Sequence, residues 1–141
     1  MKIIIAQNTS KGLAEFNKRE WPKSDIEHFG QVLDWDAKRF ILEAVDNNEV
    51  VGTLGFKIEV GVAYIGTFLV AQEQRRKGIG TMLINKAEEI AKENKAHKIY
   101  LVTGKDWKSV KFYESQGYKI TAELPDHYFH VDFIELTKFF E

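Results

Sequence analysis

The sequence predicts an α+β fold with a mixed, mostly antiparallel central sheet of about six to seven strands, flanked by about four helices. Apolar, β-branched runs recur along the chain and are separated by turn residues, which is typical of strands. The segment 79–95 instead repeats its apolar residues at helical spacing. The 141 residues are 44% hydrophobic and 29% charged, which is ordinary for a folded domain. We therefore expect a single domain over residues 1–141.

The first third of the chain predicts one strand and one or two helices. Residues 2–7, KIIIAQ, are β-branched and predict a strand. Residues 10–21 predict a helix, and Pro22 is expected to stop it because proline interrupts helices. Residues 23–38 are ambiguous between a short helix and a loop.

The next segment predicts three consecutive strands. Residues 39–60 form a predicted hairpin whose turn is Asn47-Asn48, since asparagine tolerates a positive φ. Gly61 is expected to turn the chain again into 62–70. That run is nearly continuously apolar, as expected of a strand buried on both faces.

The second half of the chain alternates helices with strands. A glycine at position 117 lies where the left-handed cap of a helix belongs. The predicted elements, in order, are helix 79–95, strand 97–103, helix 107–116, strand 118–124 and strand 128–140.

Composition excludes several classes of function. There are 20 Lys and Arg against 21 Asp and Glu, a net charge of -1, so we expect no nucleic-acid partner. The absence of cysteine excludes disulfides, thiolate metal sites and a cysteine nucleophile, and it fits a reducing compartment. The apolar run at the N-terminus is too short for a secretory signal or a membrane span. We expect a cytoplasmic protein with no membrane partner.

A cationic turn in EQRRKGIGTML, residues 73–83, is the most informative local feature. It follows the predicted strand 62–70, and Gly78 and Gly80 open the next helix. A helix N-terminus presents free N–H groups and partial positive charge, and glycines let an anion approach the backbone closely. The turn therefore predicts a phosphate or pyrophosphate site.

Two common phosphate motifs do not fit this turn. A Walker A loop requires a Lys-Ser or Lys-Thr pair after its second glycine, which is missing here. A dinucleotide fingerprint requires a third glycine where Leu83 stands, and it requires alternating strands and helices. A nucleotide binder that uses the same turn nevertheless stays open as an alternative.

Arg75 to Gly80 matches the pattern Arg/Gln-x-x-Gly-x-Gly/Ala between a strand and a helix. It resembles the acetyl-CoA pyrophosphate loop of the Gcn5-related N-acetyltransferase (GNAT) family. DWKSVKFYESQGY, residues 106–118, is similar to the second signature of that family, Asn-x-x-Ala-x-x-Phe-Tyr-x-x-x-Gly-Phe. Residues 49–56 resemble a strand of the same family that precedes the loop. The resemblance covers about residues 40–120 and implies the GNAT fold, with acetyl-CoA as cosubstrate and no metal.

The resemblance also assigns cofactor-binding residues. The backbone of the strand before the loop would hold the pantetheine arm, and a bulge at Gly66 or Thr67 would separate this strand from its neighbour. Asp106 stands where the family often has Asn, and Ser109 where it has Ala. The implied cofactor-binding residues are Phe68, Leu69, Val70, Arg75, Arg76, Lys77, Gly78, Ile79, Gly80, Thr81, Asp106, Ser109 and Phe112.

Tyr113 is the catalytic residue that the resemblance implies. Its phenol would protonate the departing CoA thiolate while a primary amine attacks the acetyl group directly. The residue matching the usual base is near Tyr64, which is not a carboxylate, so the base stays open among four residues. They are Glu59, His127, His130 and Asp132.

The acceptor and the oligomeric state are less determined. The resemblance implies an amine acceptor bound by residues 20–38 and about 122–132. Acidic residues in 20–38 would favour a cationic amine, or they are ordinary exposed charges of a helix. On a regular strand His127 and His130 would face opposite sides, so no metal site is expected. The apolar strands late in the chain permit a homodimer. The alternative function is a non-catalytic acyl-CoA-binding sensor or regulatory module.

Overall fold

The computed structural model describes all 141 residues. It contains three α-helices, two short 3-10 turns and one mixed six-stranded sheet, which confirms the predicted fold class with one helix fewer than expected. The chain forms two compact units, residues 1–35 and residues 36–141. The single-domain assignment stays a prediction. None of the helices combines the length and apolar character that crossing a membrane requires.

The N-terminal unit is built around helix α1, Lys11–Phe29. Ser10 caps its start, because its hydroxyl oxygen accepts a hydrogen bond from the Leu13 amide at 3.1 Å. Gly30 ends it in a left-handed conformation and donates its N–H to the Ile26 carbonyl at 3.0 Å.

The predicted stop at Pro22 is wrong, because α1 continues through the proline. A proline removes one intrahelical hydrogen bond, and contacts beyond it offset that loss. Asp25 is buried, and its carboxylate accepts hydrogen bonds from the Leu33 amide and the Trp35 indole, both at 3.0 Å. The second half of α1 is thereby held by the segment that follows it.

The predicted strand at residues 2–7 is also wrong. Residues 1–6 have no regular structure, and the sheet contains no strand from this part of the chain. β-branched residues favour an extended backbone, but a strand exists only where a neighbouring strand supplies its hydrogen bonds.

The sheet is formed entirely by the second unit. Its strands lie in the order β1-β2-β3-β4-β6-β5; only β3 and β4 pair in parallel. Asn47 and Asn48 form the predicted β1–β2 turn, with φ values of 49° and 65°. The strands are β1 Lys38–Asp46, β2 Glu49–Glu59, β3 Val62–Val70, β4 Lys98–Gly104, β5 Lys119–Leu124 and β6 Phe133–Phe139.

Two helices cover one face of this sheet: α2, Ile79–Glu93, and α3, Ser109–Ser115. α2 packs closely on β2, since a Cβ on Gly52 would lie 3.1 Å from the Leu83 side chain. Gly117 follows α3 with a φ of 95°, as its position predicted. The core between helices and sheet includes the fully buried side chains Leu54, Ile84, Ile99, Ile134 and Leu136.

A buried polar cluster joins α2 to the last two strands. Glu88 on α2 accepts a hydrogen bond from the Tyr118 hydroxyl at 3.0 Å and from the Lys138 amine at 2.8 Å. Burial raises the pKa of Tyr118, and the neighbouring Glu88 carboxylate raises it further. The cluster therefore satisfies a carboxylate that would otherwise be costly to bury.

Two strand predictions need correction. β3 is not buried on both faces, because Gly66, Thr67 and Leu69 are exposed. The last strand begins at Phe133 instead of residue 128, and residues 128–130 form a 3-10 turn. His127 and His130 therefore do not lie on a regular strand, and the prediction that they face opposite sides of one does not apply. The residues of the chain form no group of three or more acidic or histidine side chains arranged to hold a metal ion.

Candidate functional site

An opening between β3 and β4 defines the site. The two strands pair only from Val62 to Tyr64 on β3, and the pairing ends where Tyr64 meets Tyr100. On the other side of β3, Gly55 pairs with Thr67 and Phe56 with Ile65, so Gly66 is the extra residue of a bulge. The bulge bends β3 away from β4, and the strands diverge towards their C-terminal ends.

The cationic turn follows the diverging end of β3. Arg76 and Gly78 have φ values of 66° and 82°, and Gly78 caps α2. The first hydrogen bond in α2 runs from the Met82 amide to the Gly78 carbonyl at 3.0 Å. The N–H groups of residues 79–81 therefore have no acceptor within the helix, which makes this end of α2 suited to an anion.

The side chains of the turn differ in what they contact. The Arg75 Nε donates to the Val70 carbonyl at 3.1 Å, which holds that guanidinium beside the end of β3. The Lys77 amine donates to the Gln74 side-chain oxygen at 3.1 Å. Lys77 is the one predicted cofactor-binding residue that does not line the cleft described next.

The opening, the turn and α3 enclose a cleft of about 1120 Å³. It is lined by every other residue that the resemblance assigns, although the turn 75–80 and the second motif 106–118 are far apart in the sequence. These predicted residues are Phe68, Leu69, Val70, Arg75, Arg76, Gly78, Ile79, Gly80, Thr81, Asp106, Ser109, Phe112 and Tyr113.

Aromatic packing sets the distance between α2 and α3. A Cβ on Gly80 would lie 3.4 Å from the Phe112 ring, so glycine permits this close approach. The Phe112 ring also packs edge-on against Phe68 of β3, with centroids 6.1 Å apart. The Ser109 hydroxyl is hydrogen-bonded to the Thr103 hydroxyl at 2.9 Å. This part of the wall therefore combines apolar rings with one pair of hydroxyls that are hydrogen-bonded to each other.

Sequence reasoning missed four residues that line the cleft: Gln74, Thr103, Trp107 and Lys108. Trp107 and Lys108 lie inside the second motif, at positions that its pattern leaves unspecified. Their role could be noticed only by treating those positions as candidates too. With Lys108, the lining has three cationic side chains against the single carboxylate of Asp106, so the cleft favours an anionic ligand.

Tyr113 lies at the inner wall of the cleft and is 8% exposed. Its ring packs against Phe112 and Phe68, with centroids 5.4 and 6.0 Å away. Burial raises the pKa of Tyr113 to about 12. The phenol therefore keeps its proton at neutral pH and can donate a hydrogen bond into the cleft.

None of the four side chains considered as bases lines the cleft. Glu59 lies 4.0 Å from the Lys57 amine. The His130 ring is 2.6 Å from the Asp126 carboxylate, and Asp132 accepts the Asp126 amide at 2.8 Å. The fourth, His127, packs against the Tyr128 ring, with centroids 4.3 Å apart and the planes tilted by 56°. The structure thus brings the residues of the two motifs and Tyr113 into one cleft, and none of these four candidate bases lines it.

Comparisons with known proteins agree with this geometry. The Bacillus subtilis protein YdhI is 26% identical over 129 residues, which cover 89% of this chain and 79% of YdhI. The structure of an acetyltransferase from Bacillus cereus superposes with a TM-score of 0.73 at 18% identity, covering 96% of this chain and 97% of the other.

A Bacillus anthracis protein crystallised with acetyl coenzyme A is 27% identical, with a TM-score of 0.68. That similarity covers 72% of this chain and 62% of the other. A sequence model of the acetyltransferase (GNAT) family matches residues 9–118, which include the cationic turn and the second motif. The chain belongs to the acetyltransferase (GNAT) family.

Proposed function

We propose that the protein transfers an acetyl group from acetyl-CoA to a primary amine. The observation that carries the proposal is the cleft itself, which combines a cationic turn, the open N-terminus of α2 and a buried phenol. Acetyl-CoA has an anionic pyrophosphate and a long neutral arm that ends in a thioester, and these match the two ends of the cleft. The bound acetyl coenzyme A of the Bacillus anthracis relative supports the choice of cosubstrate.

In this proposal the pyrophosphate lies against the N–H groups at the start of α2, with the cationic side chains of the turn around it. The pantetheine arm lies along the free edge of β3. The backbone N–H and C=O groups of successive strand residues point alternately to the two neighbouring sides. The Ala71 amide donates to the Val51 carbonyl of β2, so Leu69, two residues earlier, also directs its backbone groups towards β2. Phe68 and Val70 then face the opening and supply the hydrogen bonds to the arm.

We expect the reaction to proceed by direct attack, and the absence of cysteine removes the commonest acyl-enzyme route. An ammonium first loses a proton to solvent, and the neutral nitrogen attacks the thioester carbonyl carbon. A nitrogen–carbon bond forms and the carbon–sulfur bond breaks. The nitrogen loses its second proton, the thiolate gains one, and one proton is released overall. A β3 backbone N–H stabilises the oxyanion, and Tyr113 stabilises the thiolate.

A second candidate, acyl-CoA binding without catalysis, is favoured by one observation. Asp106 is the only carboxylate that lines the cleft, and no histidine does. An amine that loses its proton to solvent would need neither a carboxylate nor a histidine as a base. Turnover with an amine therefore separates the two functions. Because the protein contains no cysteine, the thiol of released CoA can be measured without a background signal from the protein.

Calorimetric titration of acetyl-CoA tests the cofactor assignment. We expect micromolar affinity, about -8 kcal/mol, and we expect Gly78→Glu to abolish it by placing a carboxylate at the pyrophosphate position. Gly30→Glu is the matched control. Both glycines have a φ near +80° and open space where a Cβ would lie, but Gly30 lies outside the cleft. The proposal would be rejected if the wild-type protein did not bind acetyl-CoA. It would also be rejected if ATP bound tightly to this site and CoA did not.

A further inference from the structure

The face of the sheet opposite α2 and α3 carries a second group of side chains at the same opening. Tyr64 and Tyr100 are the last paired residues of β3 and β4, and their ring centroids are 4.9 Å apart. Both rings are half-buried. Immediately beyond them, Gly66 is exposed and contributes no side chain. The two tyrosines therefore form the closed end of the gap between β3 and β4.

A carboxylate lies beside these rings. Glu135 on β6 pairs with Val102, while Thr137 pairs with Tyr100, so Glu135 and Tyr100 are diagonal neighbours on one face. The Thr121 hydroxyl donates a hydrogen bond to Glu135 Oε1 at 2.7 Å, which orients the carboxylate. Glu135 makes no ion pair with any lysine, arginine or histidine of the chain. Its charge is therefore available to a cation that enters the gap.

Further aromatic rings lie near Glu135, around Phe133 at the start of β6. Phe133 contacts the Trp107 ring at 5.2 Å and the Tyr128 ring at 5.2 Å. Trp107 covers Gly104, where a Cβ would overlap the indole. Burial raises the pKa of Tyr64, and the nearby Tyr128 phenol raises it further.

The loop that positions Tyr128 is strained. Asp126, Phe129 and His130 have φ values of 49°, 54° and 61°. Non-glycine residues in this region cost about 1–3 kcal/mol each, and such strain persists where the surrounding structure enforces it. Here the close contact between Asp126 and His130, together with the hydrogen bond from the His127 amide to the Val131 carbonyl at 2.9 Å, holds the loop.

We infer that this aromatic gap is the acceptor site and that it takes a cationic primary amine with no carboxylate next to the amino group. The electron-rich faces of the tyrosine and tryptophan rings attract a cation, and Glu135 pairs with it. An acceptor carboxylate in the same position would be repelled by Glu135. The amine would approach the thioester from the face opposite the helices. The inference rests on the proposed acetyl transfer.

Matched amine pairs test this inference through the rate of CoA release. The panel contains phenethylamine, tyramine, histamine, cadaverine and agmatine, each beside the amino acid that adds a carboxylate to it. We expect turnover of at least one decarboxylated amine, with a higher kcat/KM than its amino acid. We expect Glu135→Gln to lower that preference about five- to tenfold, mainly by raising the KM for the amine.

Glu43→Gln is the control. Glu43 is an exposed carboxylate on β1, where it pairs with Thr53, and it lies on the same face of the sheet as Glu135. It should leave the preference unchanged, and all variants should bind acetyl-CoA as the wild type does. Acetyl-CoA binding without turnover of any decarboxylated amine would overturn the inference. An unchanged preference in Glu135→Gln would also overturn it. Loss of acetyl-CoA binding by the wild type would instead overturn the proposed function.

Discussion

Replacing Tyr113 with phenylalanine removes one hydroxyl from the inner wall of the cleft. The ring contacts with Phe68 and Phe112 stay, because phenylalanine has the same ring. We expect acetyl-CoA to bind the variant with unchanged affinity. Any loss of rate then reports on the hydroxyl and not on cofactor binding.

The pKa of Tyr113 indicates how large that loss should be. Burial raises it to about 12, whereas a free thiol has a pKa of about 8.5. Complete proton transfer to the thiolate would thus be unfavourable by about 5 kcal/mol, at 1.36 kcal/mol for each pKa unit. Tyr113 should act by donating a hydrogen bond to the charge that develops on sulfur. Loss of one such donor lowers kcat by about 10²-fold.

The assay is steady-state release of CoA with a saturating amine, measured from pH 6 to pH 10. The wild-type profile should show no decrease from Tyr113 ionisation in this range, and the variant should give a parallel, lower curve. Tyr118→Phe is the control, since Tyr118 is buried outside the cleft; it should lose stability but keep its kcat. The reasoning is refuted if Tyr113→Phe retains more than half of the wild-type kcat.

Three further predictions concern stability. Burial raises the pKa of Tyr113 to about 12, so ionisation of this phenol opposes folding: stability should be unaffected below about pH 10 and should fall by about 3 kcal/mol as the pH rises to about 12. Denaturant unfolding at several pH values should show a smaller alkaline loss in Tyr113→Phe. Glu88→Ala should lower the free energy of unfolding by about 3 kcal/mol in a urea titration, since it leaves Lys138 without its partner. The exposed control Glu89→Ala should lower it by less than about 0.5 kcal/mol. Asp25→Ala should cost about 1–3 kcal/mol because it removes the charged acceptor of two hydrogen bonds, from the Leu33 amide and the Trp35 indole. Proteolysis should then cut residues 1–35 faster, and an unchanged cleavage rate would contradict this account.

Local sequence signals determined much of the second unit. The Asn47-Asn48 turn, the start of α2 and the glycine after α3 each depend on the conformation of a few neighbouring residues. The two motifs resemble the family closely enough to indicate the fold and the cofactor-binding residues. These features could be predicted because turn chemistry and helical spacing act over only a few positions.

Long-range contacts decided the rest. α1 passes Pro22 because Asp25 bonds to the segment after the helix, and residues 2–7 form no strand because the sheet offers them no pairing. The grouping of Glu135 with Tyr100 follows from the register of β4 and β6. Residues far apart in sequence meet only after strand pairing and packing are complete, so neither propensity nor spacing could place them together. The sequence by itself determined the family and predicted the cofactor turn, and only the tertiary structure decided which side chains surround the opening.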